Sequence, residues 1–186
     1  GTFTALQGDV KVDSGCFPSD HGVAAWLLGS LYQTPNQEVS YTEVLTFKVS
    51  TAAYRAPGAP QATFALESAV DEMAQQLHMD PIELRLKNAS KPGDPLADGE
   101  PWPSMGMCEV LQAVQAHPIY ANRAAAQAQG RGVGVAIGGW PGGTEPTSAQ
   151  AQLHRDGTLH VHIGSVDLTG TPVGFVLIAA ETFGLP

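Results

Sequence analysis

The sequence is short of cysteine and of long apolar runs. Its two cysteines, Cys16 and Cys108, stand far apart among 186 residues. Such a pair fits neither a disulfide framework nor a metal-binding motif, so we expect both thiols to be reduced and structural. The longest apolar runs, such as 175–180, are too short to span a bilayer, and no signal-peptide pattern opens the chain. These absences predict a cytoplasmic protein with no membrane partner.

Basic residues are also scarce. The chain has 9 Lys and Arg against 18 Asp and Glu, a formal net charge of −9 at pH 7. No cluster of Lys or Arg offsets this charge locally, which argues against nucleic acid and anionic membranes as partners. Hydrophobic residues make up 43% of the chain, enough to build one large domain or two small ones. Residue 1 is Gly inside a strand-like stretch, so we expect an excerpt of a longer chain.

Extended structure dominates the first part of the chain. Apolar and polar residues alternate roughly through 2–13 and more clearly through 39–49. This period-2 pattern predicts β-strands, because successive strand side chains point to opposite faces. Between the two strands, the apolar run 23–28 predicts a short helix bounded by Pro18 and Gly29.

Helical spacing follows. At 80–83, Asp-Pro-Ile-Glu combines an N-cap acid, a proline at the first helical position and a Glu at N3, which marks a helix start. Elsewhere, apolar residues recur every three or four positions, as expected for one buried helical face. The sequence predicts helices over 61–77, 81–88, 107–117, 118–129 and 172–183.

The chain changes character at Gly130. The stretch 132–139 is predicted to form a small apolar strand, and a β-hairpin is predicted around Asp156-Gly157. A three-residue loop, 155–157, pairs Leu153 with Leu159 and gives the hairpin an apolar face, whereas a two-residue turn mixes apolar and polar residues on both faces. The three-residue loop is therefore predicted, with its glycine in the left-handed region.

Together these elements predict an α+β fold, a mixed β-sheet with helices packed on it. We place a subdomain boundary near Gly130, where helical spacing gives way to short strands and glycine-rich turns. The predicted subdomains are therefore 1–129 and 130–186.

Two glycine-rich joints each lead into a helix that starts with proline. The first, 53–61, reads Ala-Tyr-Arg-Ala-Pro-Gly-Ala-Pro-Gln, and the second, 167–172, reads Asp-Leu-Thr-Gly-Thr-Pro. A helix N-terminus offers free amides and the positive end of the dipole to an anion, and Arg55 adds a bidentate donor for a phosphate or oxo group. An ordinary strand–turn–helix joint that binds nothing is the alternative. Neither joint has the glycine spacing of dinucleotide or nucleoside triphosphate loops.

Other groupings of reactive residues yield no site. His154, His160 and His162 share the polar face of the predicted hairpin, but zinc needs a further converging ligand and the neighbouring Gln and Thr side chains are poor ones. Cys16 and Cys108 lack the setting of a catalytic nucleophile. We therefore assign no metal ligand within the 186 residues.

A series of motifs runs through the chain: Ala53-Tyr54-Arg55-x-x-Gly58-x-Pro60-Gln61, Phe64-Ala65-x-Glu67, Asp80-Pro81-x-Glu83-x-Arg85-x-x-Asn88, Gly130-x-Gly132-x-Gly134, Asp156-Gly157, Gly164-x-x-Asp167 and Ala179-Ala180-Glu181-x-x-Gly184. Their resemblance is to the molybdenum-binding subunit of the xanthine dehydrogenase and aldehyde oxidase family. It covers nearly the whole chain. It implies a middle excerpt of a longer subunit, with 1–129 ending the first molybdopterin-binding subdomain and 130–186 starting the second.

The resemblance also implies a function. It implies a molybdenum hydroxylase that uses molybdopterin to insert water-derived oxygen into a small aldehyde or N-heterocycle, with iron-sulfur clusters and FAD on partner subunits or domains. The loop 138–143 is expected to wall the substrate pocket. The implied cofactor-binding residues are Arg55, Ala56, Gly58, Thr169, Gly170 and Thr171.

The sequence departs from the family pattern at three places, and each departure limits what the resemblance implies. The carbon monoxide branch carries a cysteine after the arginine, where this chain has Ala56-Pro57, which speaks against that substrate. Many members have Gly-Gln-Gly before the last helix, where this chain has 169–171, Thr-Gly-Thr, without the glutamine that meets the cofactor. The family's general base is a glutamate in a distant Gly-Glu-Pro-Pro segment. Glu100 lies in the wrong segment, so no catalytic residue is assigned here and the base is expected beyond residue 186.

The alternative is an α+β scaffold or interaction domain that binds no cofactor and has no activity of its own. This describes what we expect of the isolated chain even if the full-length parent is an enzyme, because the general base and half of the cofactor cage are missing from it.

Overall fold

A computed structural model describes residues 1–19, 22–140 and 146–185. The chain divides into two compact units, which we call unit 1 (Gly1–Pro141) and unit 2 (Gly142–Pro186). Unit 1 contains β1 (Leu6–Gly15), α1 (Val23–Ser30), β2 (Gln37–Leu45), α2 (Ala59–Gln76), α3 (Pro81–Asn88), α4 (Met107–Ala116), α5 (Pro118–Ala121) and α6 (Arg123–Ala128). Unit 2 contains β3 (Ala149–Leu153), β4 (Leu159–Ile163) and α7 (Thr171–Phe183).

Unit 1 begins with two parallel strands joined through a helix. β1 and β2 pair in parallel, and α1 lies in the connection between them, which a tight turn could not make. The strand predicted over 39–49 ends early, at Leu45, and Phe47 beyond it is fully exposed. Leu45 pairs with Gly15, the last residue of β1, so β2 stops where its partner stops.

The core of unit 1 lies where α1, α2 and β1 pack together. Leu27 of α1 and Leu31 just after it belong to one buried cluster with Leu66 and Val70 of α2. Removing such side chains from water is the main stabilising term of a small domain. The predicted helix 61–77 is confirmed as α2, with its start two residues earlier.

The helix predicted over 81–88 is α3, with the predicted bounds and the predicted cap. The Asp80 carboxylate accepts hydrogen bonds from the amides of Ile82 at 2.8 Å and Glu83 at 3.1 Å. The helix predicted over 118–129 is instead two short helices, α5 and α6, which meet at Asn122. The backbone of Asn122 is non-helical, and its side-chain amide donates to the Pro118 carbonyl at 2.9 Å, a local bond that competes with helix continuation.

The strand predicted over 132–139 does not form, although every residue of that stretch is described. In the described part of unit 1, no neighbouring strand pairs with it. Its apolar side chains pack instead on a second small core made by α3, α4 and α5, and Ile137 also contacts the main core. The two compact units separate after Pro141, past the predicted boundary near Gly130. The assignment of 1–129 and 130–186 to two cofactor-binding subdomains stays a prediction.

Unit 2 begins with the predicted hairpin. β3 and β4 are antiparallel, with Leu153 opposite Leu159 and Ala149 opposite Ile163, so the register derived from side-chain parity is confirmed. Gly157 has φ +87°, the left-handed conformation that the three-residue loop requires. The helix predicted over 172–183 is α7, which starts one residue earlier.

The α+β class is confirmed. In the described residues, the strands form two separate two-stranded sheets, a parallel one in unit 1 and an antiparallel one in unit 2. Among the helices of the described residues, none is long and apolar enough to cross a membrane.

Candidate functional site

The N-terminus of α2 is held by a glycine that no other residue could easily replace. Gly58, the N-cap, has φ +78°, and a Cβ atom added there would stand 3.1 Å from the Cβ and the amide nitrogen of Ala24 in α1. Pro60 occupies the second helical position, one place later than predicted. No side chain caps this end. In the first turn of α2, the Ala59 amide donates to the Ala56 carbonyl and Pro60 has no amide, so Gln61 is the residue of this turn whose amide suits an anion or a polar ligand atom.

The turn before Gly58 is strained. Ala56 has φ +59°, a conformation that costs a non-glycine residue roughly 1–2 kcal/mol. Its carbonyl accepts from the Ala59 amide at 3.1 Å, which closes the turn onto the helix. Strain of this kind concentrates at ligand-binding and catalytic sites. The chain before this turn is irregular, since β2 has already ended at Leu45.

Arg55 is exposed at the entrance of a groove in unit 1. The groove has a volume of about 840 Å³ and runs between β1 and α2, with Gly58 also in its lining. On the α2 side it is lined by Ala62, Ala65 and Ala69. These small side chains leave room for a ligand or for another part of a larger protein beside the helix end.

The N-terminus of α7 in unit 2 has the same features as the N-terminus of α2. Its N-cap, Gly170, has φ +76°, Pro172 is again the second helical residue, and no side chain caps the helix end. Thr169 before it has φ +65°, which is unfavourable for a β-branched residue. The Asp167 carboxylate accepts from the Gly170 amide at 2.9 Å, and Thr171 Oγ1 accepts from the Leu168 amide at 3.3 Å. These bonds hold the turn in shape.

The six predicted binding residues thus form two local groups. Arg55, Ala56 and Gly58 adjoin one another in unit 1, and 169–171 do so in unit 2. Each group has the left-handed glycine, the proline in the first turn and the strained non-glycine residue. None of these conformations is visible in composition or periodicity, although the Gly-x-Pro order is a signal for the start of the helix.

A buried polar network between α2 and α3 was not predicted from the sequence. The fully buried Arg85 guanidinium of α3 donates to Glu67 at 2.8 Å and to Asp71 at 2.8 Å, both on α2. Burial opposes the charge of this arginine, but the hydrogen bonds that it donates to the two carboxylates outweigh burial and raise the pKa of Arg85. Burial, together with the adjacent Glu67 carboxylate, also raises the pKa of Tyr32, whose hydroxyl donates to Glu67. The network joins α2 and α3.

The histidines of the hairpin do not assemble a metal centre. The rings of His154 and His160 lie 4.3 Å apart, centroid to centroid, in a tilted arrangement. Over 1–19, 22–140 and 146–185, no group of three or more His, Cys, Asp or Glu side chains is placed to hold a metal ion.

Comparison with known proteins identifies relatives of this chain. The molybdopterin cofactor-binding domain family matches residues 1–89. The chain is 34% identical to the aldehyde oxidoreductase of Megalodesulfovibrio gigas over 196 residues, which cover 97% of this chain and 21% of that protein. It is 34% identical to the xanthine dehydrogenase molybdenum-binding subunit of Escherichia coli O157:H7 over 206 residues, which cover 100% of this chain and 27% of that protein.

The fold agrees as well. The solved structure of the aldehyde oxidoreductase from Desulfovibrio gigas matches with a TM-score of 0.66 and 32% identity, covering 84% of this chain and 19% of that one. The chain therefore spans between a fifth and about a quarter of the length of these relatives. Because sequence and fold agree over most of its length, the chain is a homologue of the molybdenum-binding subunits of xanthine dehydrogenases and of aldehyde oxidoreductases, corresponds to a fragment of them, and carries in residues 1–89 a molybdopterin cofactor-binding domain.

Proposed function

We propose that this chain is the middle part of a molybdenum hydroxylase subunit and that the N-termini of α2 and α7 bind the molybdopterin cofactor. The proposed contacts are Arg55, Ala56 and Gly58 at α2 and 169–171 at α7. The observation that carries this proposal is the shared geometry of the two helix ends, a left-handed glycine N-cap without a side-chain cap. The α2 end lies within residues 1–89, which match the molybdopterin cofactor-binding domain family.

The chemistry of these groups fits the cofactor. Molybdopterin presents a phosphate, pterin amides and oxo groups, and main-chain amides at a helix N-terminus bind such polar and anionic atoms. The exposed guanidinium of Arg55 can donate two parallel hydrogen bonds to an oxygen-bearing group. When bound, the cofactor supplies the redox chemistry, and these residues bind it and orient it.

We further propose that the parent enzyme hydroxylates an aldehyde or an N-heterocycle with oxygen from water. Its general base, a glutamate, is expected beyond residue 186, and the loop 138–143 is proposed to wall the substrate pocket. Residues 141–143 of that loop lie outside the described part of the chain. Iron-sulfur clusters and FAD on partner subunits or domains would carry electrons away, and a cytoplasmic location is part of the same proposal.

The test is to purify the full-length parent subunit and measure molybdenum and pterin per polypeptide, followed by oxidation of an aldehyde series and of purines. We expect about one molybdenum and one pterin per chain and turnover of one of the two substrate classes. A parent free of molybdenum after expression with an intact cofactor pathway would overturn the proposal.

For the isolated 186 residues we propose a scaffold role without activity. We propose that they neither retain molybdopterin stoichiometrically nor oxidise aldehydes, because a helix end gives an anion only a few weak bonds and the rest of the cage is supplied elsewhere. Stoichiometric molybdenum together with aldehyde oxidation in the isolated chain would contradict this.

A further inference from the structure

Glu67 of α2 joins three separate parts of unit 1. Its carboxylate is 4% exposed and accepts hydrogen bonds from the Tyr32 hydroxyl, which follows α1, and from Arg85 Nε of α3 at 2.8 Å. The third donor is the main-chain amide of Ile137, at 2.7 Å. The last bond is the unusual one, because a side chain here provides the acceptor for an amide some seventy positions away.

The Ile137 bond serves both of its partners. The buried Arg85 guanidinium is shared by Glu67 and a second carboxylate, Asp71, so the Glu67 carboxylate needs further donors beside this cation. The Ile137 amide is one of these donors, and in return the buried carboxylate fixes the position of the Ile137 segment.

The segment after Ile137 is seated tightly on the two helices. A Cβ atom at Gly139 would stand 2.9 Å from Leu31 Cδ2 and 3.5 Å from Leu27 Cδ2. At Gly138 a Cβ atom would be 3.9 Å from Thr63 Cγ2, one turn before Glu67 on α2. Among the described residues of unit 1, no strand pairs with 132–139, and the Glu67 carboxylate takes the place of a ladder acceptor for the Ile137 amide.

We propose that Glu67 is a positioning residue for the substrate side of the site. Through the Ile137 amide it holds 138–140, the described start of the proposed pocket wall, at a fixed place over the same helix whose N-terminus carries Gly58. We rest this on the proposed function, which assigns that wall and that helix end to one active site. Loosening the wall weakens substrate binding and leaves the cofactor contacts at Gly58 in place.

The experiment compares two double variants of the full-length parent. Glu67→Met/Arg85→Met removes the buried ion pair as a whole, so that only the half-exposed Asp71 loses its cation, and it leaves the Ile137 amide without its acceptor. Glu67→Gln/Arg85→Met removes the same charges but keeps an oxygen for Ile137. The two proteins thus differ in the acceptor and are otherwise matched in charge.

Hydrogen exchange of the Ile137 amide is the first measurement. We expect exchange in the Met/Met variant to be about fivefold to tenfold faster than in the Gln/Met variant, as loss of one buried hydrogen bond predicts. In the unchanged parent this amide should exchange slowly. Equal exchange in the two variants, or an unprotected amide in the unchanged parent, would overturn the positioning role. The exchange rate in the unchanged parent tests the positioning role even if a variant does not fold.

Steady-state kinetics is the second measurement. We expect KM for the parent's substrate to be higher in the Met/Met variant by about fivefold, the value of one positioning hydrogen bond, with kcat and molybdenum content alike in both variants. Equal KM values would overturn the role in catalysis. A parent without molybdenum would refute the proposed function instead, and the exchange rates would still decide whether Glu67 holds the segment.

Discussion

Gly58 and Ala24 touch so closely that a methyl group on Gly58 would lie 3.1 Å from both Ala24 Cβ and the Ala24 amide nitrogen. The left-handed backbone at Gly58 and this contact between α1 and α2 occur at the same residue. The position of the α2 N-terminus is therefore fixed twice, by conformation and by packing.

We expect Gly58→Ala to lower the free energy of unfolding by about 2–3 kcal/mol, the sum of left-handed strain and overpacking against Ala24. Gly93→Ala is the matched control, because Gly93 has φ +88° with nothing within 4 Å of an added Cβ, and it should cost only about 1–2 kcal/mol. Urea unfolding of both variants measures the difference. Equal losses would mean that the contact with Ala24 contributes nothing.

Arg55→Ala should leave stability nearly unchanged and reduce turnover of the parent. Arg55 is exposed, and the carboxylates of Glu67 and Asp71, which could have bound a buried arginine here, bind Arg85. The unfolding free energy should change by less than about 0.5 kcal/mol. Loss of a charge-assisted hydrogen bond of roughly 1.5–3 kcal/mol that strengthens in the transition state lowers kcat by about one to two decades.

Melting and kinetics on this one variant separate function from folding, with the exposed Arg131→Ala as the control for simple loss of a positive charge. A variant of Arg55 that melts many degrees lower and keeps normal turnover while folded would show that the assignment is wrong.

Arg85→Met should be among the most destabilising single changes in unit 1. It leaves Glu67 buried without its cation, which costs about 3–5 kcal/mol of unfolding free energy. The double variant Glu67→Met/Arg85→Met should recover part of this loss, since the buried charge disappears with its partner although the Tyr32 hydroxyl and the Ile137 amide lose their acceptor. Denaturant midpoints and a double-mutant cycle test both statements, and a double variant less stable than Arg85→Met alone would contradict them.

Alkaline conditions should weaken the fold through Tyr32. Burial and the neighbouring Glu67 hold the pKa of Tyr32 above its usual value, which is about 10 in an unfolded chain. As pH rises through about 10 the unfolded state loses this proton while the folded state keeps it, so stability is complete below that pH and falls above it. One such group contributes a slope of up to about 1.4 kcal/mol per pH unit.

Tyr32→Phe should remove this contribution, and Tyr54→Phe, the same substitution at an exposed tyrosine, is its control. Urea midpoints between pH 8 and about 11 measure the effect. An identical pH dependence in the unchanged protein and in Tyr32→Phe would rule out the buried phenol as its origin.

The sequence by itself determined the features whose causes lie close together in the chain. Asp80 and Pro81 set the start of α3 because the cap bonds reach only two or three residues along the chain. The parity of Leu153 and Leu159 set the hairpin register, because a slip by one residue would exchange the two faces. The helix starts after Gly58 and Gly170 were predictable to within two residues for the same local reason.

Only the tertiary structure decided the features that depend on distant partners. The stretch 132–139 has the composition of a strand, but a strand needs a neighbour, and unit 1 offers its Ile137 amide the Glu67 carboxylate instead. Arg85 and Glu67 stood in recognised motifs, yet their pairing in the core follows from how α2 and α3 pack. Local bonds are encoded by neighbouring residues, whereas burial and long-range pairing depend on which surfaces meet, and a linear pattern does not contain that information.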